Sequence, residues 1–234
     1  DTATGTFCAI AVFVDDLLIV GDCTSKISEL KTYLSTTFQG QGSWDENVNS
    51  FLGMRLRYNR STRKLTMDIE SKVDDFFKQH PSLKGRGIDA PFSSDADGPS
   101  KALTATQAYL KSNFATVAGT FIYWTITCRP DLSTIVNRAC KGMHDPQYRH
   151  VLYLEAAVRY MFKHRSSGLT YQGGRGSIRP VLDTLVSTFG DLDQVPSSPV
   201  VAFSDASHMG LAQDRMRNYS GCAIYVFGHL VQWS

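Results

Sequence analysis

The sequence predicts an α+β fold. Two short apolar runs, "FCAIAVF" and "LLIVG", flank an acid pair near its start, and strand-like runs ("VVAFSDAS", "GCAIYVF", "HLVQW") return near its end. Between them, from Thr104 to Phe162, apolar residues recur at helical spacing.

The opening runs alternate too little for half-exposed strands and are too short for helices. They are expected as two buried strands of a hairpin turning at Val14-Asp15-Asp16. In "TSKISELKTYLSTTF", Ile27, Leu30, Leu34 and Phe38 share a helical face, with Thr24 or Ser25 as N-cap. A polar loop, "QGQGSWDENVN", leads to a second hairpin whose strands, "FLGMRLRY" and "KLTMDI", surround Asn59 to Arg63. A short helix then carries Val73, Phe76 and Phe77. The stretch "PFSSDADGPSKA", residues 91–102, is rich in Pro, Gly and Ser and is the expected linker.

Beyond it, Thr104 and Gln107 form a capping box. Phe114, Val117, Ala118, Phe121 and Ile122 line one helix face up to Arg129-Pro130. Pro130 opens the next helix, with Leu132, Ile135, Val136 and Ala139 inward. A third helix carries Val151, Leu154, Val158 and Phe162, and ends where Lys163-His164-Arg165 and Gly168 suit a helix C-terminus. "RPVLDTLVSTFGDL" reads as a weaker helix and "DQVPSSP" as a second linker, before three strands of which the last two form a hairpin. Strand patterns at both ends of the chain predict a piece of something longer.

The composition narrows the function classes. With 42% hydrophobic and 20% charged residues among 234, the chain can build a sizeable core. A net charge of +2 tolerates an anionic partner without demanding one. The longest apolar run is far too short to span a bilayer, so no membrane role is expected. Five cysteines without a CxxC pair, and no cationic-then-apolar leader, favour reduced thiols inside the cell over disulfides or zinc.

Asp15 and Asp16 admit three readings. They can be a polar hairpin tip. They can be the acid pair of a signalling receiver domain, although a helix should then follow, and "LLIVG" reads as a strand. They can be the metal ligands of a polymerase palm, where two-metal phosphoryl transfer needs carboxylates fixed on a rigid support and hard Mg²⁺ prefers their oxygens.

The wider sequence resembles a known family. "FVDDLLIVGD" is similar to the Y-x-D-D palm motif of reverse transcriptases in copia-type LTR retrotransposons, with Phe13 where tyrosine is usual. "FLGMRLRYN…KLTMDI…VDDFF" resembles the family's primer-grip hairpin and following helix. "VAGTFIYWTITCRPDLSTIVNRACKGMHDP" resembles its G-x-L-x-Y-x-x-x-x-T-R-P-D-I stretch, and "EAAVRYMFKHRSSGLTY" the helix and strand after it. "FSDASHMG…NYSGCAIYVFGHLVQWS" is similar to the opening of its RNase H domain, with Ser207-His208 in place of Asp-Trp. The matches run in order along nearly the whole chain.

The resemblance implies a division of the chain. Residues 1–90 would form the C-terminal palm portion with its acid hairpin and primer-grip-like hairpin, and 91–102 a linker. Residues 103–172 would form a helical thumb- or connection-like segment, 173–199 a variable linker, and 200–234 the first strands of a truncated RNase H-like domain. It implies RNA-directed DNA polymerisation and hybrid-RNA cleavage in the parent, and a place inside the cell, in a cytoplasmic particle or the nucleus. Asp15, Asp16 and Asp205 would be catalytic and hold Mg²⁺, or Mn²⁺ instead, weakly in this chain. The partners implied are an RNA template, a DNA primer and the palm, fingers and RNase H segments that these residues do not include. The competing expectation is a domesticated or decayed remnant that binds nucleic acid or protein without catalysis.

Arg55, Arg57, Arg60, Arg63 and Lys64 crowd the second hairpin, where they would meet primer or template phosphates; the plain alternative is a solvated turn. Arg159, Lys163 and Arg165 read as helix-end charges. Trp44, Tyr123 and Trp124 can stack on bases but sit where core aromatics sit. His144, His150 and His164 lack ligand spacing. Cys128-Arg129-Pro130-Asp131 reads as architecture.

Overall fold

In a computed structural model, described over residues 6–40, 42–92, 96, 98–172, 200–207, 219–226 and 229–233, the chain is mixed α and β. It divides into two compact units, Asp1–Leu56 and Arg57–Ser234. The expected weak helix in "RPVLDTLVSTFGDL" and the linker "DQVPSSP" lie outside the described residues.

In the first unit, β1 (Cys8–Phe13) and β2 (Asp16–Gly21) pair antiparallel from Cys8↔Gly21 to Phe13↔Asp16. The turn is Val14-Asp15 alone, so Asp16 belongs to β2. The expected burial of these strands is corrected: Val12 is 68% and Phe13 55% exposed. The reason is topological. The sheet has two strands, and α1 (Thr24–Thr37) touches β2 without burying any of its own residues completely. Ile27, Leu30 and Leu34 are half-buried there, while Phe38 is exposed.

The N-cap of α1 is Cys23 rather than Thr24 or Ser25. The Asp22 carboxylate accepts from the Phe7 N–H at 2.7 Å, closing the open end of the ribbon and turning the chain into the helix early. The expected single strand "FLGMRLRY" is two strands. β3 (Ser50–Phe51) folds back on β4 (Met54–Asn59) through Leu52 and Gly53, both at positive φ. Gly53 supplies the left-handed backbone that such a two-residue turn requires.

In the second unit the end of β4, β5 (Lys64–Asp68) and β6 (Leu169–Gln172) lie side by side. β5 and β6 pair antiparallel from Lys64↔Gln172 to Met67↔Leu169. The chain reaches β6 through Gly168, where a Cβ would stand 2.1 Å from the Met67 carbonyl oxygen. No other residue fits that approach without moving backbone.

The helices are α2 (Glu70–Gln79), α3 (Ala105–Ser112), α4 (Phe114–Thr127), α5 (Ser133–Cys140) and α6 (Tyr148–Lys163). The Thr104–Gln107 capping box forms as expected. Phe114, Val117, Ala118 and Phe121 are buried, but Ile122 is not; Trp124, 2% exposed, occupies the row instead. The buried set 114, 117, 118, 121 and 124 follows helical steps of three and four, and 122 falls one position, about 100°, off that line. α2 meets this face through Phe76, whose ring lies 5.7 Å from Phe121 and 5.4 Å from Trp124. Pro130 starts a 3₁₀ turn (Pro130–Leu132) that runs into α5, and Leu132, Ile135, Val136 and Ala139 are all buried.

Arg129 is 1% exposed, and this is the least expected feature of the core. Its Nε and Nη2 donate to the two Asp131 carboxylate oxygens at 3.0 and 2.7 Å, and Nη1 donates to the His164 carbonyl at 2.9 Å. The guanidinium lies over the Tyr160 ring, 5.6 Å from its centre. It therefore joins the C-terminal ends of α4 and α6. Burial raises the Asp131 carboxyl pKa, but the Arg129 hydrogen bonds and charge, with a hydrogen bond from Tyr160, outweigh it and hold the group below its ordinary 3.8. A lowered native pKa contributes stability above the unfolded value, lost as pH falls through the native one. Urea midpoints should therefore fall below about pH 4, and Asp131→Asn, already less stable at neutral pH, should lose less over that acid range. Equal acid losses in the two proteins would contradict this.

β7 (Val200–Ser207), β8 (Tyr219–Val226) and β9 (His229–Trp233) form an antiparallel sheet in that order. It is tied to the helices and to β6. The Trp233 indole N–H donates to the Thr125 carbonyl at 2.7 Å near the end of α4, and the Tyr171 hydroxyl donates to the Leu230 carbonyl at 3.1 Å. No described helix is long and apolar enough to cross a membrane.

Candidate metal and nucleic-acid site

The acids sit at the tip of the β1–β2 ribbon. Asp15 is the second residue of a two-residue turn, Asp16 is paired with Phe13, and both are exposed. A strand follows them, which excludes the receiver-domain alternative, where a helix should begin. Val14, just before them, has φ +53°. A β-branched residue is strained in that conformation, and such strain persists where the surroundings hold it. Here the six-pair ladder on either side of the turn holds it.

The donor set suits a hard cation in kind: two carboxylates, adjacent and open to water. It falls short in number, since among the described residues no group of three His, Cys, Asp or Glu side chains comes together. A divalent ion here would take Asp15 and Asp16 as ligands and complete its shell with water or groups from elsewhere. Asp205 lies in β7, opposite Gly221 of β8, and its side chain is outside the described residues.

Of the five basic residues, Arg60, Arg63 and Lys64 are exposed around the turn between β4 and β5. The Asn59 carboxamide oxygen accepts from the Ser61 hydroxyl at 2.7 Å and the Thr62 N–H at 3.0 Å, giving the turn an internal frame. Arg57 is committed differently: its Nη2 donates to the buried Asp68 carboxylate at 2.7 Å and its Nε to the Thr66 hydroxyl at 3.3 Å. Sequence alone does not reveal that pairing, because the β4–β5 register decides which acid Arg57 meets. Arg55 lies in the first unit and is half-buried. Trp124 is core, whereas Trp44 is 41% exposed, with its indole N–H donating to Ser35 and Lys31 over its ring.

No family model and no solved structure matches the chain. Curated relatives do. It is 24% identical over 203 residues to the retrovirus-related Pol polyprotein from transposon TNT 1-94 of Nicotiana tabacum, across 85% of this chain. It is 25% identical over 229 residues to that from transposon RE2 of Arabidopsis thaliana, across 95% of this chain. The resemblance to copia-type Pol polyproteins is thus borne out. The chain spans 15% and 13% of the length of those two polyproteins. It is also 26% identical over 172 residues to an uncharacterized mitochondrial protein of Arabidopsis thaliana, covering 68% of that protein.

Proposed function

We propose that these residues are a piece of a reverse transcriptase with the beginning of its RNase H, and that Asp15 and Asp16 are metal ligands for nucleotidyl transfer in the parent protein. The observation that carries this reading is the acid pair at the solvent-facing tip of a tight antiparallel hairpin, within a chain similar to Pol polyproteins over most of its length. Mg²⁺, or Mn²⁺, would screen charge on a transferring phosphoryl group and lower the pKa of an attacking hydroxyl. Asp15 and Asp16 would hold it, the β1–β2 ladder would keep them in place, and Arg60, Arg63 and Lys64 would meet the phosphates of an RNA template or DNA primer. The palm, fingers and remaining RNase H segments of the parent are proposed partners. The uncovered apolar residues of the ribbon, Val12 and Phe13 among them, suit packing against such segments.

The test has two arms. Residues 1–234 alone should extend no primer with either metal, because two acids cannot position two ions in register with attacking and leaving oxygens. The reading frame translated with its flanking segments should extend one, and Asp15→Asn should abolish that activity. Undiminished extension by Asp15→Asn would overturn the assignment.

A further inference from the structure

Two cations at the C-terminal end of α6 have an acid partner. Lys163 pairs with Asp89, and Arg165 lies 3.5 Å from Asp74. Three others do not. Lys84 and Arg86 are exposed and meet no acid among the described residues. Arg159, half-buried on α6, uses its Nε to donate to the Arg86 carbonyl at 2.9 Å, which leaves its terminal nitrogens unengaged by any described acid.

Two of the three, Lys84 and Arg86, sit on a built loop that Arg159 grips from α6. Residues 84–87 read Lys-Gly-Arg-Gly and lie against α6, so close that a Cβ on Gly87 would stand 2.6 Å from the Lys163 Cβ. The Arg159 hydrogen bond fixes the other side of the strap. The fold thus holds the Arg159 guanidinium on the Arg86 carbonyl, at the strap that also carries the exposed Lys84 and Arg86 side chains.

From this we propose that the Lys84–Arg86–Arg159 strap is a second phosphate-binding surface, contacting the backbone of a nucleic acid duplex. It rests on the nucleic-acid reading above and adds a contact surface apart from the β4–β5 turn. Arginine suits the role because its planar fork matches two phosphate oxygens at once, and the contact should be indifferent to base sequence.

The experiment measures binding of an RNA–DNA hybrid to the whole chain by fluorescence anisotropy across a series of salt concentrations. The variants are Lys84→Gln/Arg86→Gln, whose side chains make no described bond, and Arg60→Gln/Arg63→Gln at the other surface. Each lost phosphate contact should flatten the log–log salt dependence by about 0.9. The first double variant should therefore have a slope shallower by about 1.8, and its loss should add to that of the second. An unchanged slope and affinity in Lys84→Gln/Arg86→Gln, while the parent chain binds, would overturn the strap alone. No hybrid binding by the parent chain would overturn the underlying reading as well. Poly-glutamate that displaces the hybrid at equal charge, with sensitivity lost in Lys84→Gln/Arg86→Gln, would reassign the surface to an acidic protein and overturn the proposal.

Discussion

Arg129→Ala should destabilise the second unit by about 3 kcal/mol, with a matching drop in the urea midpoint. Three losses combine. The His164 carbonyl at the end of α6 loses its donor, the Asp131 carboxylate loses both its hydrogen bonds from Arg129, and a cavity opens beside Met161 and Tyr160. Asp131 keeps some access to water at 35% exposure, which places the cost toward the low end of the range for a broken buried pair. Arg129→Lys should recover little, because an ammonium cannot serve a bidentate carboxylate and a carbonyl in this geometry. Arg129→Met with Asp131→Leu, which removes both charges together, should be less destabilised than Arg129→Ala. A loss below about 1 kcal/mol in Arg129→Ala would show that the network is surface-like in its energetics.

Phe76→Ala is expected to cost about 3–5 kcal/mol, which for a unit of this size lowers the melting temperature by roughly 10 °C. Phe76 is 6% exposed and packs edge-on against Phe77, Phe121 and Trp124, with ring centres 5.2, 5.7 and 5.4 Å away. It is the contact through which α2 joins α4, so truncation removes area from both helices and leaves a space that flat ring faces fill poorly. Phe76→Leu should cost less than half as much, since most of the volume remains. Differential scanning calorimetry on the two variants checks the order, and equal losses would place Phe76 outside the aromatic cluster's load.

Much of this was legible in the residues themselves. The two apolar runs and the acids between them specify a hairpin because their length and composition permit little else, and the pattern of the Pol family is carried by local strings such as "FVDDLL" and "TCRPDL". The Thr104–Gln107 capping box and the inward rows of α2, α5 and α6 follow from hydrogen-bond chemistry and a 3.6-residue period, both local properties of the chain.

Burial and partnership were not local, and tertiary structure decided them. The β1–β2 runs look like core strands, yet Val12 and Phe13 face water because no third strand or helix covers them among the described residues. Arg57 looks like a free cation until the β4–β5 register brings it to Asp68. Arg129 reads from the sequence only as part of the Cys128–Asp131 architecture, and it is α6 that returns to place a carbonyl and an aromatic ring around it. In each case the residue type sets which interactions are affordable, while the route of the chain through space sets which partner, if any, arrives within reach.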